Sequence, residues 1–263
     1  MSNIRILAVG DVVGKPGTEF FKKTFPAYKK YAGIDLCIVN GENSAPGNGT
    51  TPDSAEDLLA YGADIITGGN HTFRRREFYD YLDRRGGMCV RPANYGAAAP
   101  GVGWRVIHTA KFNACVINIL GTVYMDNLDN PFRCVDNILK EPEAAQCPVR
   151  IVDFHAEATS EKQAMGYYLD SRVSAVFGTH THIQTADERV LPGGTGYITD
   201  LGMTGPVDSV LGVNKDEVLS MFLTHMPVRF SNPDSPCVLC GCIFDVDAAT
   251  GKCLSVQRVK LER

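Results

Sequence analysis

The sequence predicts an α/β protein, because short apolar runs alternate with longer amphipathic stretches along most of its 263 residues. Several of these runs are almost continuously apolar, which is typical of strands buried on both faces. The 26 glycines are more than a helical bundle would use, and they cluster after the apolar runs, where loops turn. No linker or abrupt change of composition interrupts the pattern, so we expect residues 1–263 to form a single domain.

In the first half of the chain, the pattern predicts three strands with helices between them. The strands are expected over residues 4–9, 36–39 and 64–67, and the helices over residues 18–31, 51–61 and 75–84. The second helix has the clearest start, since Thr51 can cap it and Pro52 suits its first position. This half therefore has the strand–helix alternation of an α/β fold.

The second half repeats this alternation and then changes character. Strands are expected over residues 114–120, 149–154 and 175–177, and a helix is expected over residues 159–169. Residues 238–246 and 254–259 alternate more regularly on either side of a turn at 249–252. That arrangement predicts a β-hairpin.

Polar side chains follow five of the expected strands, at the point where each strand ends. They are Asp11, Glu42, Asn43, Asn70, His71, His155, His180 and His182. In open α/β sheets, ligands bind at the carboxyl edge of the strands, so we expect these side chains to share one site. A mixture of carboxylate, amide and imidazole groups suits iron, manganese or zinc better than magnesium or calcium, which prefer oxygen ligands. The sequence therefore predicts a metal site at this edge.

The order of these residues resembles the motifs of a known superfamily. In chain order the motifs are Gly10-Asp11, Gly41-Glu42-Asn43, Gly69-Asn70-His71, His155 and Gly178-Thr179-His180-Thr181-His182. Together they resemble the calcineurin-like metallophosphoesterases, and the likeness covers nearly the whole chain, including residues 202–206. The chain more closely resembles the bacterial YmdB-like branch, whose members are described as 2′,3′-cyclic-nucleotide phosphodiesterases with a di-iron centre.

Two positions depart from the wider superfamily. Val13 stands where the first motif usually has a histidine, and Glu42 stands where the second usually has an aspartate. The YmdB-like branch shares both departures, and there the counterpart of Asn43 compensates as a ligand. The resemblance is therefore closer to the branch than to the superfamily as a whole.

The resemblance implies a four-layer α/β/β/α sandwich, in which two mixed β-sheets are flanked by helices. It also implies two metal ions, iron first with manganese or zinc as alternatives. In the implied site Glu42 bridges the ions, Asp11, Asn43 and His182 hold one, Asn70, His155 and His180 hold the other, and His71 is the proton donor. The implied reaction is in-line attack of a metal-bridging hydroxide on a cyclic nucleotide, with 2′,3′-cyclic forms first and 3′,5′-cyclic forms second.

Other functions stay open at the level of the sequence. A phosphomonoesterase or an RNA nuclease could use the same residues, and a regulatory metal-binding scaffold could hold the ions without turnover. The formal net charge is −4 and the pI is near 5.9, so the chain has no global excess of basic residues. We therefore expect a small phosphodiester substrate and no stable binding of long nucleic acid. The native substrate, the metals bound in the cell and the oligomeric state, a homo-oligomer included, stay open.

The cysteines indicate a reducing compartment. Nine cysteines, an odd number scattered along the chain, fit reduced thiols better than a disulfide framework, so we expect a cytoplasmic protein. Cys237, Cys240 and Cys242 have a zinc-like spacing, but no fourth ligand is evident, and we expect packed or free thiols. We expect no signal peptide, and no apolar run approaches the roughly 20 residues of a membrane helix.

Three consecutive arginines, Arg74, Arg75 and Arg76, follow His71 closely and could be taken for a phosphate clamp. Neighbouring residues on a helix point in different directions, so at most one or two of them can face a site. A run of charges more commonly forms a solvated face. The sequence leaves their contact with substrate open.

Overall fold

The computed structural model describes residues 3–84 and 88–262, and its centre is formed by two β-sheets. The strands in chain order are β1 (Asn3–Val9), β2 (Asp11–Val12), β3 (Leu36–Asn40), β4 (Ile65–Thr67), β5 (Cys89–Val90), β6 (Trp104–His108), β7 (Asn113–Leu120), β8 (Val149–His155), β9 (Ala175–Thr179), β10 (Arg189–Val190), β11 (Gly196–Ile198), β12 (Met203–Pro206), β13 (Cys237–Asp247) and β14 (Cys253–Glu262). The helices are α1 (Gly14–Ala32), α2 (Pro52–Ala60), α3 (Glu77–Arg84), α4 (Pro131–Ile138), α5 (Pro142–Gln146), α6 (Thr159–Leu169) and α7 (Lys215–Thr224).

Both sheets mix parallel and antiparallel pairs. The first sheet has the order β2-β12-β13-β1-β3-β4-β5, with β14 paired to β13. Within it β1, β3, β4 and β5 run parallel, whereas β13 runs antiparallel to β1 and to β14. The second sheet has the order β10-β11-β9-β8-β7-β6, in which β7, β8, β9 and β11 run parallel. Each sheet therefore has one edge where several strands deliver their carboxyl ends.

The position of β1 between the second sheet and the helices explains why its sequence is apolar at nearly every position. Ile6 and Ala8 face the second sheet, while Leu7 and Val9 face the helices on the other side. Successive side chains of a strand point to opposite faces, so a strand covered on both faces needs apolar residues on both.

Three apolar layers separate four layers of secondary structure. The first lies between the sheets and joins Ile38 of one to Phe177 of the other. The second lies between the first sheet and α1, α2 and α3. The third lies between the second sheet and α4, α5 and α6, and contains Val152 and Met165. The prediction of an α/β/β/α sandwich with two mixed sheets is confirmed.

Every strand and helix expected from the sequence is present, with some ends displaced. The α1 helix begins at Gly14 instead of residue 18, and it tolerates Pro16 because the amide of a first-turn residue has no partner within the helix. The α3 helix begins at Glu77 instead of residue 75. The hairpin is formed by β13 and β14 as expected.

The elements that the sequence did not predict are short or weakly buried. Two- to four-residue strands such as β2, β10 and β12 carry too little periodicity to be recognised. The α7 helix buries only Val218, so its apolar pattern does not mark a core face. Its two ends are set by capping residues instead. At the N-terminus the Asn214 side chain accepts a hydrogen bond from the Asp216 amide, and at the C-terminus His225 ends the helix with a φ of 55°.

Two further sequence predictions concern membrane-spanning helices and the state of the cysteines. Among residues 3–84 and 88–262, no helix combines the length and the apolar character that crossing a bilayer requires. All nine cysteines are free thiols, and Cys237, Cys240 and Cys242 are buried along β13. The prediction of packed or free thiols at these three positions is confirmed.

Candidate active site

The predicted residues meet where the parallel strands of both sheets end. Asp11 follows β1, Glu42 and Asn43 follow β3, and Asn70 and His71 follow β4 in the first sheet. In the second sheet His155 is the last residue of β8, and His180 and His182 follow β9. Residues that lie far apart in the chain are thereby brought into contact, as between Asp11 and His180, which are 169 positions apart.

Three predicted residues surround the Nε2 atom of His155, and we name the four residues together the His155 group. The Oδ1 atom of Asn70 lies 3.0 Å from this nitrogen, and the Nδ1 atom of His180 lies 3.1 Å from it. The Oε2 atom of Glu42 lies 3.4 Å away. Glu42, His155 and His180 each offer a ligand atom within 4.8 Å of the other two, which is the spacing of a metal site.

A second set, the Asp11 group, contains Asp11, Asn43 and His182. The Nε2 atom of His182 lies 3.7 Å from Asp11 Oδ1 and 3.3 Å from the Nδ2 atom of Asn43. The Asn43 amide therefore turns its nitrogen toward His182, and its Oδ1 atom lies 3.0 Å from His71 instead. A ligand role for Asn43 requires its amide to turn so that Oδ1 faces Asp11 and His182.

Glu42 connects the two groups. Its Oε2 atom faces His155, while its Oε1 atom accepts a hydrogen bond of 2.8 Å from Asn43 Nδ2. The side chain is 1% exposed. A buried carboxylate with one oxygen toward each group is placed as a bridging ligand would be.

The tautomer of His155 follows from the residues behind it. The hydroxyl of Thr179 donates to Asp153 Oδ1 at 2.7 Å, so its oxygen accepts from Nδ1–H of His155 at 2.9 Å. This leaves Nε2 directed at the other three residues of the His155 group. Partners of this kind fix the orientation of metal-binding histidines and raise their basicity.

The other two histidines are oriented in the same manner. Nδ1–H of His182 donates to the carbonyl of Leu211 at 2.9 Å, and Nε2 of His180 lies 3.1 Å from the carboxylate of Glu157. His182 thus presents Nε2, and His180 presents Nδ1. All three imidazoles direct a ring nitrogen into the site.

The loop that carries His180 and His182 has an unusual backbone. Both residues have positive φ, 104° and 63°, in a region that L-residues seldom adopt. Asp11 Oδ2 accepts from the His180 amide at 3.1 Å, and Asp200 Oδ2 accepts from the Thr181 amide at 3.1 Å. Lys162 holds Asp200 through a buried ion pair of 2.6 Å. These contacts hold the loop in its strained conformation.

Two further observations fit bound cations. Asp11 Oδ1 is buried and accepts no hydrogen bond from any residue that the structure describes. Burying such an oxygen costs free energy of folding unless a positively charged group or a hydrogen-bond donor contacts it. At Gly69, a Cβ would lie 2.2 Å from Glu42 Oε2 and 2.5 Å from His155 Nε2, so glycine lets the backbone approach the ligand atoms closely.

The charges of the site are strongly coupled. Burial raises the pKa of Asp11. Burial would lower the pKa of His155, but the carboxylate of Glu42 outweighs it, and the pKa rises to about 9. Burial and the neighbouring His155 lower the pKa of His180 to about 3. Burial would raise the pKa of Glu42, yet His155 and His71 hold it well below its usual range. A cation bound here would take the place of the proton on His155.

His71 lies at the rim of the site, with its side chain 30% exposed. Its amide donates to Glu42 Oε2 at 2.9 Å, and its Nδ1 atom lies 3.1 Å from Glu42 Oε1. Both neighbours of Nδ1 are oxygen acceptors, so Nδ1 carries a hydrogen and Nε2 is left for the cleft. His71 thus directs an N–H at Glu42 and Asn43 and turns its other ring nitrogen to the cleft.

A cleft of about 630 Å³ opens over the site. Its lining includes Glu42, Asn43, His71, His180 and His182, so the predicted residues form its floor. The volume lies within the range typical of small-molecule sites.

The three arginines have separate roles. Arg74 lines the cleft. Arg75 donates to the carbonyls of Pro46 and Asn48 and so holds the loop over the site. Arg76 is exposed and does not line the cleft. The expectation that at most one or two could face the site agrees with this arrangement.

Several supporting residues were missed from the sequence. Asp153 lies two positions before His155 on β8, and this alternation could have placed it on the same face. Thr179, between Gly178 and His180, also lay within a recognised motif. Nothing local marks Leu211 or Asp200, because their partners lie 29 and 38 positions away.

The sequence matches that of known proteins over nearly its full length. A family described as YmdB-like protein matches residues 7–259. The 2′,3′-cyclic-nucleotide 2′-phosphodiesterase of Bacillus subtilis (strain 168) is 44% identical over 256 residues, which cover 97% of this chain and 96% of that protein.

Solved structures agree with the fold. A hypothetical protein from Thermus thermophilus has a TM-score of 0.92 at 36% identity, covering 98% of this chain and 99% of that one. A protein described as a novel phosphatase, from Mycoplasma pneumoniae, has a TM-score of 0.92 at 34% identity, covering 100% of this chain and 94% of that one.

Proposed function

We propose that this chain, which belongs to the YmdB-like protein family, is a metal-dependent phosphodiesterase that hydrolyses 2′,3′-cyclic nucleotides. Its 44% identity to the Bacillus subtilis phosphodiesterase supports the reaction class and the substrate. The observation that carries the proposal is the convergence of Asn70, Glu42 and His180 on one nitrogen of His155. This donor set suits a cation and lies on the floor of a cleft.

The residues present fit two ions. In the proposal, Asn70, His155 and His180 would hold one ion, Asp11, Asn43 and His182 would hold the other, and Glu42 would serve both. The mixed nitrogen and oxygen donors favour iron, with manganese or zinc as alternatives. When bound, the ions would acidify the attacking water and neutralise charge on the phosphoryl group.

His71 is the proposed proton donor. Hydrolysis adds water across a phosphorus–oxygen bond of the cyclic phosphate, in line with the departing ribose oxygen. That oxygen needs a proton as the bond breaks, and the product is a nucleoside monophosphate. Glu42 accepts from Nδ1–H of His71, so Nε2 faces the cleft, and the imidazolium form of His71 gives its Nε2 proton to the departing oxygen. A positioned acid of this kind contributes roughly 10²–10⁴-fold.

Changing His71 to alanine tests this role. For 2′,3′-cyclic AMP, we expect kcat to fall by about 10²–10⁴-fold. For bis(p-nitrophenyl) phosphate the loss should be far smaller, because p-nitrophenolate leaves without a proton. Metal content, measured by elemental analysis, should stay that of the wild type. His108→Ala is the matched control, since this histidine is exposed at the end of β6.

An equal loss on both substrates would contradict proton donation by His71. Loss of metal from the His71→Ala protein would assign the residue a structural part instead. Retention of a cellular role by this variant, without turnover, would favour the metal-binding scaffold.

A substrate panel separates the remaining hydrolase alternatives. We expect higher kcat/KM for 2′,3′-cyclic than for 3′,5′-cyclic nucleotides, and for bis(p-nitrophenyl) phosphate than for p-nitrophenyl phosphate. Preference for the monoester would indicate a phosphomonoesterase, and preference for oligonucleotides an RNA nuclease. Elemental analysis of protein purified without oxygen would identify the metals.

We also propose a cytoplasmic location and a single domain. Nine free thiols suit a reducing compartment. The apolar layer shared by both sheets supports one folding unit.

A further inference from the structure

We propose that one side of the cleft is a nucleobase subsite, and that Phe230 stacks on the base of the substrate. The side in question, here named the apolar wall, consists of Val13, Leu211, Val213 and Phe230. This inference rests on the proposed function, because it assigns the wall to the nucleoside part of a cyclic nucleotide.

A site that binds phosphate alone would not need the apolar wall. The floor of the cleft supplies carboxylates, amides and imidazoles, and Arg74 and Arg229 add positive charge at its lining. A phosphoryl group and a ribose ring carry hydrogen-bonding atoms throughout and gain little from aliphatic contacts. A nucleobase is the part of the substrate that offers a flat apolar face.

Phe230 has the exposure expected of a stacking residue. The residue is 42% exposed although it is aromatic, and it lines the same cleft as His71 and His182. Stacking between an aromatic side chain and a base is a general mode of nucleotide binding, because every base has a π-face. A base over Phe230 would cover apolar surface that now faces the cleft.

Hydrogen bonds of Ser231, the residue after Phe230, hold this segment in place. The amide and the hydroxyl of Ser231 donate to the two oxygens of Glu217, each at 2.6 Å. The carbonyl of Ser231 accepts from the Asn214 amide at 2.9 Å. These bonds tie the segment to the start of α7, so Phe230 is held at the cleft before substrate arrives.

The next residue along the chain, Asn232, ties the segment to the same wall. Asn232 Nδ2 donates to the carbonyl of Gly212 at 2.9 Å. Gly212 in turn packs on Val13, since a Cβ there would lie 2.5 Å from Val13 Cγ1. The wall is therefore one connected surface, built from three distant parts of the chain.

Leu211 joins the wall to the metal-binding residues. Its side chain lines the cleft, and its carbonyl accepts from Nδ1–H of His182 at 2.9 Å. The wall thus begins beside the Asp11 group. A phosphoryl group at the floor would leave the attached nucleoside next to this surface.

Paired substrates test the subsite. Glycerol 1,2-cyclic phosphate has the same five-membered phosphate ring as 2′,3′-cyclic AMP but carries no base. For the Phe230→Ala protein, we expect the ratio of kcat/KM for 2′,3′-cyclic AMP to that for glycerol cyclic phosphate to fall about tenfold. The fall should appear in KM for the nucleotide. Phe230→Tyr keeps an aromatic ring and should restore most of the ratio.

Phe222→Ala is the matched control, because Phe222 is an exposed phenylalanine of α7 that does not line the cleft. It should leave the ratio unchanged. An unchanged ratio in Phe230→Ala, or an equal fall in Phe222→Ala, would overturn the base subsite while the phosphodiesterase function stood. A wild-type protein that hydrolysed neither cyclic phosphate would overturn both.

Discussion

At the scale of single residues, the hydroxyl of Thr179 selects the nitrogen that His155 presents to the site. It donates to Asp153 and accepts from His155, and the chain offers Asp153 two further donors in Thr67 and Asn40. Burial raises the pKa of Asp153 to about 6, although these donors oppose the rise. A hydroxyl between a buried carboxylate and an imidazole therefore orients a proposed ligand that it does not itself replace.

Replacing Thr179 with valine keeps the volume and removes this hydroxyl. We expect metal affinity to fall by roughly 10–100-fold, the usual effect of losing an outer-shell partner. Competition with a chelator of known affinity measures the change. His180→Ala removes a proposed ligand and should lose more affinity than Thr179→Val, along with all hydrolysis.

Unchanged affinity in Thr179→Val would mean that the backbone alone positions His155. Wild-type rates in His180→Ala would remove His180 from the site. The two variants together separate binding the metal from orienting its ligand.

At the scale of elements, the loop after β9 owes its shape to a neighbouring helix. Lys162 of α6 reaches the carboxylate of Asp200, and both side chains are nearly inaccessible to water. Asp200 also accepts from the amides of Thr181 and Gly202. A buried charge pair is therefore the link between a helix on the outer layer and two histidines with positive φ.

Lys162→Met tests this link through stability. The substitution leaves Asp200 buried without its cation, and removal of one partner from such a pair typically costs about 3–5 kcal/mol. Urea denaturation measures the free energy of unfolding. Lys215→Met breaks the exposed pair with Asp208 and should leave that free energy unchanged. Similar losses in the two variants would contradict a special role for the buried pair.

At the scale of the whole molecule, the site is formed by residues from both sheets. Asp11, Glu42 and Asn70 come from the first sheet, and His155 and His180 come from the second. Bound ions would therefore link the two halves of the sandwich, whereas the apolar layer between the sheets holds them together without metal.

Chelation should lower the melting temperature without unfolding the chain. Ligands present at about 100 times their Kd add about 2.7 kcal/mol, which corresponds to a shift on the order of 5–10 °C in a chain of this size. Scanning calorimetry before and after chelation measures the shift, and added iron, manganese or zinc should reverse it. Complete unfolding on chelation would show that the apolar layers alone do not keep the chain folded.

The sequence by itself determined the class of the fold and predicted which polar residues share one site. Both are local signals, because an apolar run buried on both faces must stop where polar residues begin, and these residues then lie at the carboxyl edge of a sheet. Asp11, Glu42 and His155 were found for this reason. The short strands and α7 escaped because they bury too few residues to leave a periodic pattern.

Only the tertiary structure decided which atoms meet. Asn43 and His182 are 139 positions apart, and no local pattern records that the amide nitrogen of one faces the ring of the other. The same holds for Leu211 behind His182 and for Phe230 at the cleft. Their positions depend on how separate loops pack, and a side chain's direction is fixed by its neighbours in space, which the order of residues does not state.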